Sequence, residues 1–556
     1  MIRKSAAMLW STSLLWLSLN SYFALRYVEI LYAPKAWPGK LAAGGIVAWI
    51  LIASFYACFH TMSFVYSLLV RHFAAPVPRN YQARPRIAIF YTVCDDLQLS
   101  AVQSCIDQDY AGDFHVFILD DSHTAKERVR VDEVCAAHPT RVSCLRRHTR
   151  AGFKAGNINA ALAQIGDEYA YVAIADADEL LPPNFLTELV AIAEADPSLG
   201  FVQAAHRMYG RSAFGRQAGD GIDLHWSHFL PARHRFGFVY FFGHGALLRT
   251  HAIEKAGGFP ELVSEDLALA MVMAQVGYRG YFASDVVCHE EVPTTFAAYR
   301  TRHTKVIRGT LELVTKAFPA FLKSRKVDWV QKLDLAIATA GLYLPIPFLG
   351  FCALLHLVMP FFLTDTYSIA LRSAPDSGFG YILTAAGLFR PLWGWQALLF
   401  TAFTVFAPLC YVLPDLMRSP RKVLGYVFRI TPVSLSTVPL TLLQSIDWLR
   451  TRRTVFDNTG RRAKNPAHKP MRTTQVETLI GAILTVSAII TGSLFLLAFG
   501  LSVLMIPWLL HTNGQGRVSR WLLPVPLVLT LLAFVSVPAL LLGFSGAFIG
   551  VALAHH

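Results

Sequence analysis

Long runs without charge at both ends of this chain leave it few ways to fold. Residues 5–33 and 42–70 are nearly free of charged side chains, and each is longer than the roughly 20 residues that cross a bilayer as a helix. The first follows Arg3 and Lys4 but exceeds the length of a signal-peptide core and lacks a small-residue cleavage site, so it reads as a retained anchor. Four further apolar runs, at 334–363, 396–413, 478–511 and 520–552, bring the expected spans to six, the third broken by Pro345 and Pro347. The run 431–447 has basic flanks on both sides and is expected to lie in the interface, with a re-entrant turn as the alternative. Hydrophobic residues make up 54% of the 556, too many for an ordinary soluble enzyme.

The charge is +13, and its distribution speaks against a nucleic-acid partner. Twelve Lys or Arg stand against three acids between Asp415 and Arg472, the bias of a cytoplasmic loop beside anionic lipid. Two spans return the chain to the side of Arg3 and Lys4, which makes the block from 73 to about 326 cytoplasmic and puts both termini there. The eight cysteines form no Cys-x-x-Cys pair, so neither a zinc site nor a disulfide framework is expected. The expected organisation is two spans in 1–72, an α/β domain in 73–293, interfacial helices with a basic face in 294–330, spans three and four in 331–413, a basic loop with an interfacial segment in 414–476, and spans five and six in 477–556.

Inside the central block, short apolar runs at Arg86–Thr92, His115–Leu119 and Tyr171–Ala175 alternate with helical patterns at Ser100–Gln108 and Pro183–Ala195. That alternation predicts strand-helix-strand units on a mostly parallel sheet, whose ligands sit beyond the carboxyl ends of the strands. The acidic clusters fall there. Tyr171–Leu180 runs apolar residues up to Asp176 and Asp178, which share one face of an extended strand end and suit Mg²⁺ or Mn²⁺. A solvated strand-to-loop turn is the alternative. Upstream, Thr92-Val93-Cys94-Asp95-Asp96 and Asp120-Asp121-Ser122 end the first two strands, and Lys154-Ala155-Gly156-Asn157 offers a cation and backbone amides to a diphosphate. Downstream, Ser264-Glu265-Asp266 opens a helix that ends at Gly277; the acids serve either an N-cap or a cleft, with Asp266 the best general-base candidate.

The order TVCDD, DDS, KAGNIN, DADE, FFGHGALLR, GGF, SED over roughly residues 85 to 310 resembles the processive family 2 glycosyltransferases, the membrane group of cellulose, hyaluronan and chitin synthases. The resemblance implies a GT-A domain that transfers a sugar with inversion from a UDP-sugar, UDP-glucose first among them, to the end of a growing polysaccharide that leaves through the spans. By similarity, Thr92, Asp95 and Asp121 contact the uridine. Lys154 and the Asn157 region hold the diphosphate and ribose, Asp176 and Asp178 manage Mg²⁺ or Mn²⁺, Phe242-Gly243-His244 form the acceptor loop, and Asp266 beside Glu265 is the base.

Two motifs depart from the family. Its QxxRW aligns with Arg302-His303-Thr304-Lys305-Val306, which keeps a cation at Lys305, supported by Arg302 or Arg308, and loses the aromatic platform. His244 and Gly245 stand where the family has a small polar pair, so His244 is either a donor to the acceptor or a phosphate, or a structural residue. A non-processive transferase acting on a lipid or polyprenyl carrier, and a nucleotide-binding export subunit, are the competing expectations. The expected location is a cell membrane, bacterial and inner, with membrane lipids and periplasmic or cell-wall export proteins as partners. The basic stretch Arg450–Arg472 faces lipid or gates substrate, and Trp395, Trp448 and Trp508 mark membrane interfaces or a sugar path.

Overall fold

The computed structural model describes residues 6–32, 34–70, 84–209, 212–362, 407–454, 470–491 and 494–529. Two compact units emerge, one built mainly from Ser63–Thr339 with Gln444–Pro466, the other from Met8–Met62, Ala340–Leu443 and Ala467–His556.

The first unit is organised on an eight-stranded sheet in the order β3-β2-β1-β4-β7-β6-β8-β5. Its strands are β1 (Ile87–Val93), β2 (Phe114–Asp120), β3 (Val142–Leu145), β4 (Tyr171–Asp176), β5 (Glu179–Leu180), β6 (Leu199–Tyr209), β7 (Ala246–Arg249) and β8 (Arg279–Glu291). β1 is apolar up to Thr92 because both faces are covered: Ile87, Ile89, Tyr91 and Val93 enter one core, Ala88 and Phe90 the other. The expected helices and first strands lie within a few residues of their predicted limits.

The sheet is mixed, where a mostly parallel one is expected from sequence. β1 pairs in parallel with β2 and β4, whereas β7 runs antiparallel to both β4 and β6. The departure is the short strand Ala246–Arg249, which follows β6 after helices over Ala213–Leu224 and Leu230–Phe236 and runs against both of its neighbours. Its direction matters for function, since its first residue Ala246 sits beside Ile174. The loop before β7 is thereby delivered to the carboxyl edge of β4, and Gly245 N donates to Ile174 O at 2.8 Å.

Helices α1 (Phe153–Ile165), α2 (Glu265–Val276) and α3 (Phe296–Lys316) frame that edge. α2 ends as the sequence suggests, with Gly277 at φ 100°, a left-handed conformation glycine adopts freely. Ser264 makes no side-chain cap for it. Helix α4 (Trp329–Gly341) places a buried carboxylate, Asp334, against the amide of Phe238 at 2.9 Å and the guanidinium of Arg233 at 3.6 Å.

Among the described residues three helices are long and apolar enough to cross a membrane, or up to five if two bent pairs each count as one. The six expected spans are not confirmed by the described residues. The run 431–447 lies inside one helix, α5 (Pro420–Thr451), which is long and apolar enough to cross. The run 478–511, expected as one span, divides into α6 (Pro470–Thr491), α7 (Leu494–Leu504) and α8 (Ile506–Thr512). α6 and α7 are antiparallel: a Cβ on Gly481 would meet Leu504, and one on Gly500 would meet the backbone of Thr485 at 2.7 Å. Small residues let the two backbones approach, as at close helix pairs in membranes. The first anchor forms a helix over Ala7–Tyr32 but is not apolar enough to count among the three. Most of 396–413 and of 520–552 lies outside the described residues.

Candidate active site

Four backbone segments meet at the carboxyl edge of β4. Asp176, the last residue of that strand, accepts a hydrogen bond from Thr92 Oγ1 at 2.9 Å and touches Lys154 Nζ. Lys154 extends from the first turn of α1 and also donates to Gly243 O at 2.9 Å. Gly243 in turn lies against the base candidate: a Cβ there would stand 3.3 Å from Asp266 Cβ and 3.6 Å from Lys154 Nζ. Thr92, Lys154, Asp176, Gly243 and Asp266 thus share one cleft.

The electrostatics follow from burial and crowding. Asp176 is held below the usual carboxylate range, since burial pushes it up but Lys154 and His244 outweigh that. Asp178 moves the other way, raised well above its ordinary value by burial and by the charges of Glu290 and Asp176. Such an excess of carboxylates around Asp178 is what a divalent cation neutralises, so the residues present fit Mg²⁺ or Mn²⁺ on Asp178 with Asp176 beside it. Glu265 is raised to about 7 by burial and by Asp266, and Asp266 is raised by burial, partly opposed by Leu267 N and by Lys305 and Lys154.

Helix α3 brings the altered QxxRW segment to the same cleft. Lys305 acts on Glu265 and Asp266, and Arg302 lies 4.0 Å from Glu290. Val306, at the position of the family's tryptophan, is 40% exposed and offers no stacking face. Arg308 is engaged elsewhere, donating to Gln444 Oε1 at 2.8 Å and to Asp447.

The expected nucleotide contacts are distributed differently. Asp95 adopts φ 61°, and its carboxylate accepts from His123 N, Thr124 N and Thr124 Oγ1 at 2.9, 3.0 and 3.1 Å, tying β1 to the segment after β2. Asp121 is clamped by Arg147 Nε and Nη2 at 2.9 and 2.6 Å. Asn157 is buried and donates to Leu119 O at 3.2 Å, so it fastens α1 to β2 and does not open to the cleft. Asp96, the last residue of the TVCDD motif and assigned no role there, is next to the same acids: burial and then Asp176 raise it to about 6, with the Cys94 amide bond opposing.

The segment expected as the acceptor loop is tied to its neighbours by hydrogen bonds and packing. Phe242 N donates to Gln203 Oε1 at 3.0 Å, Gln203 Nε2 donates to His244 O at 3.0 Å, and the Phe242 ring packs on Trp226 with centroids 4.5 Å apart. Gly243 and Gly245 have φ 84° and 58°, where a side chain is strained. His244, about 9% exposed, faces Glu179 and Glu290 and is raised to about 10, because these acids and Asp176 outweigh its burial. Glu290 and His206 are the residues that motif reading missed, while Glu179, the end of the DADE motif, was given no role; the register Glu179↔Glu290 of β5 and β8 pairs two of the three, and no local pattern announces that pairing. Of the tryptophans, Trp448 is buried and Trp395 lies outside the described residues.

Residues 171–419 match the family model described as Glycosyl transferase family group 2. Among curated proteins the chain is 28% identical over 231 residues to the "Probable glucomannan 4-beta-mannosyltransferase 10" of Arabidopsis thaliana, covering 40% of this chain and 41% of that protein. It is 29% identical over 233 residues to the glucomannan 4-beta-mannosyltransferase 1 of Cyamopsis tetragonoloba, covering 40% and 44%. The chain thus spans about half the length of the curated relatives it matches, or less. Among solved structures it is similar to the mannosyltransferase PcManGT from Pyrobaculum calidifontis, in complex with GDP-Man and Mn²⁺, at 21% identity and a TM-score of 0.43, covering 66% of this chain and 99% of that one. Residues 171–419 thus match a glycosyltransferase family 2 domain.

Proposed function

We propose that this chain is a membrane-embedded, inverting glycosyltransferase that passes a hexose from a nucleoside-diphosphate sugar to the end of a β-linked polysaccharide and leads that polymer across the bilayer. The observation that carries the reading is the contact chain Asp176, Lys154, Gly243, Asp266, which sets the Lys154 ammonium close to a carboxylate raised by burial. In this reading Asp266 takes the proton of the acceptor hydroxyl as its oxygen bonds to the anomeric carbon. The bond to the diphosphate breaks, and Lys154 and Lys305 hold the charge that develops there. A divalent cation on Asp176 and Asp178 would supply further neutralisation of that charge. Glu265 is a neighbour that sets the charge state of the base.

UDP-glucose is the donor implied by the motif resemblance, while the named relatives act on glucomannan as mannosyltransferases; we therefore place a mannosyl donor beside UDP-glucose. Membranes carrying the full chain, given each nucleotide sugar in turn, are expected to release nucleoside diphosphate with one of them and to put label into ethanol-insoluble material. Asp266→Asn lowers that rate by about 10²-fold or more while donor binding persists. Wild-type release by Asp266→Asn overturns the reading and favours an export subunit that only binds nucleotide. A second reading, single transfer to a lipid or polyprenyl carrier, is favoured by Val306 in the tryptophan's place, and label confined to the organic phase selects it.

A further inference from the structure

Beside the transfer cleft lies a second set of ligating side chains with no task in that chemistry. His206 stands on β6 and is 1% exposed. Its ring stacks on His244 with centroids 4.6 Å apart, and Trp226 covers it at 4.3 Å. Two carboxylates bracket the rings. Glu179 lies 3.1 Å from His206 Nε2 and 3.3 Å from His244 Nδ1, and Glu290 lies 3.7 Å from His206 Nδ1 and 3.9 Å from His244 Nε2. Close as they are, both ring nitrogens of His206, Nδ1 of His244 and Oε1 of Glu179 are buried and meet these neighbours as ion-pair contacts without well-aligned hydrogen bonds. Buried polar atoms are rarely left so, and an ion is one of the ordinary reasons.

We propose that His206, His244 and Glu290 hold a divalent transition-metal ion of the zinc class, with Glu179 and Cys288 within reach to complete the set. One donor atom from each of the three lies within 4.8 Å of the others, and the same holds for Glu179, His206 and Cys288. Ligand atoms about 2.0–2.2 Å from a tetrahedral ion stand roughly 3.4 Å apart, so small rotations of the imidazoles, whose terminal torsions are broad, close the site. The charge also balances: two neutral imidazoles, two carboxylates and one dication leave no net charge in a buried space, which lowers the cost of keeping the acids there. The two imidazoles select zinc over magnesium, in contrast to the oxygen-only pair Asp176 and Asp178. The ion would tie the His244 loop to β6 and β8.

This site goes beyond the transfer reading and does not rest on it. The test uses the full chain in detergent, stripped with a chelator, loaded with Zn²⁺ or Co²⁺ and desalted. Metal is then counted by mass spectrometry, and the Co²⁺ form is read by its ligand-field absorption. The wild type retains about one ion per chain, His206→Ala and His244→Ala lose it, and Asp178→Asn keeps it. Should the histidine variants unfold, Glu290→Gln decides, because that side chain is partly exposed and its variant melts like the wild type while losing the ion. A wild type that retains nothing, a folded Glu290→Gln protein that retains as much as the wild type, or loss of the ion in Asp178→Asn overturns the proposal.

Discussion

Asp266 and Glu265 are adjacent acids at the start of α2, both buried enough to bind protons more tightly than free carboxylates. A base must be ionised to act, so a raised value means that activity is present at higher pH and is lost as pH falls through it. The acid limb of kcat against pH is therefore expected above the ordinary carboxylate range. Glu265→Gln removes the competing charge and moves that limb to lower pH; a limb that stays in place separates Glu265 from the base. At this scale the sequence was informative where chemistry and position coincide, as with Lys154, Asp176 and Asp266. It was uninformative where a side chain is diverted by a partner far along the chain. Nothing in the text around Asp121 shows that Arg147 clamps it, and nothing around Asn157 shows that it turns to the carbonyl of Leu119.

Elements set the cleft's dimensions. The loop before β7 approaches Asp266 only because Gly243 has no side chain, so Gly243→Ala pushes on the base and the lysine and also strains a left-handed backbone. The expected result is a fall in transfer of at least about tenfold, equivalent to ~1.4 kcal/mol, with a melting curve close to wild type; unchanged transfer would separate the loop from the chemistry. Helix α4 is tested through Asp334. Asp334→Leu leaves the buried Arg233 without its carboxylate and the Phe238 amide without its acceptor, a cost of about 3 kcal/mol or more. A large drop in the thermal midpoint is expected, and a midpoint within a degree or two of wild type would make the pair dispensable. Strands whose two faces are buried, such as β1, β2 and β4, were legible as apolar runs. β7 was not, because four residues carry too little pattern to reveal either a strand or its direction.

For the whole molecule the apolar ends were legible as membrane candidates, but their folding was not. A run of apolar residues states that lipid or protein surrounds it and leaves open whether it turns back, and the reversal between α6 and α7 depends on glycines at 481 and 500 facing a neighbouring backbone. Cysteines placed one at a time near 474 and near 515 should react with an impermeant thiol reagent from the same face of sealed vesicles. Labelling from opposite faces would return 478–511 to a single crossing.

The carbonyl of Gly243 holds the same ammonium group that grips Asp176. In the proposed reading, recognition of the incoming chain end and grip on the departing nucleotide would be worked by one lever. Changes that reshape the loop for a different acceptor will be felt as altered donor affinity, and the two Michaelis constants should drift together across variants of that loop.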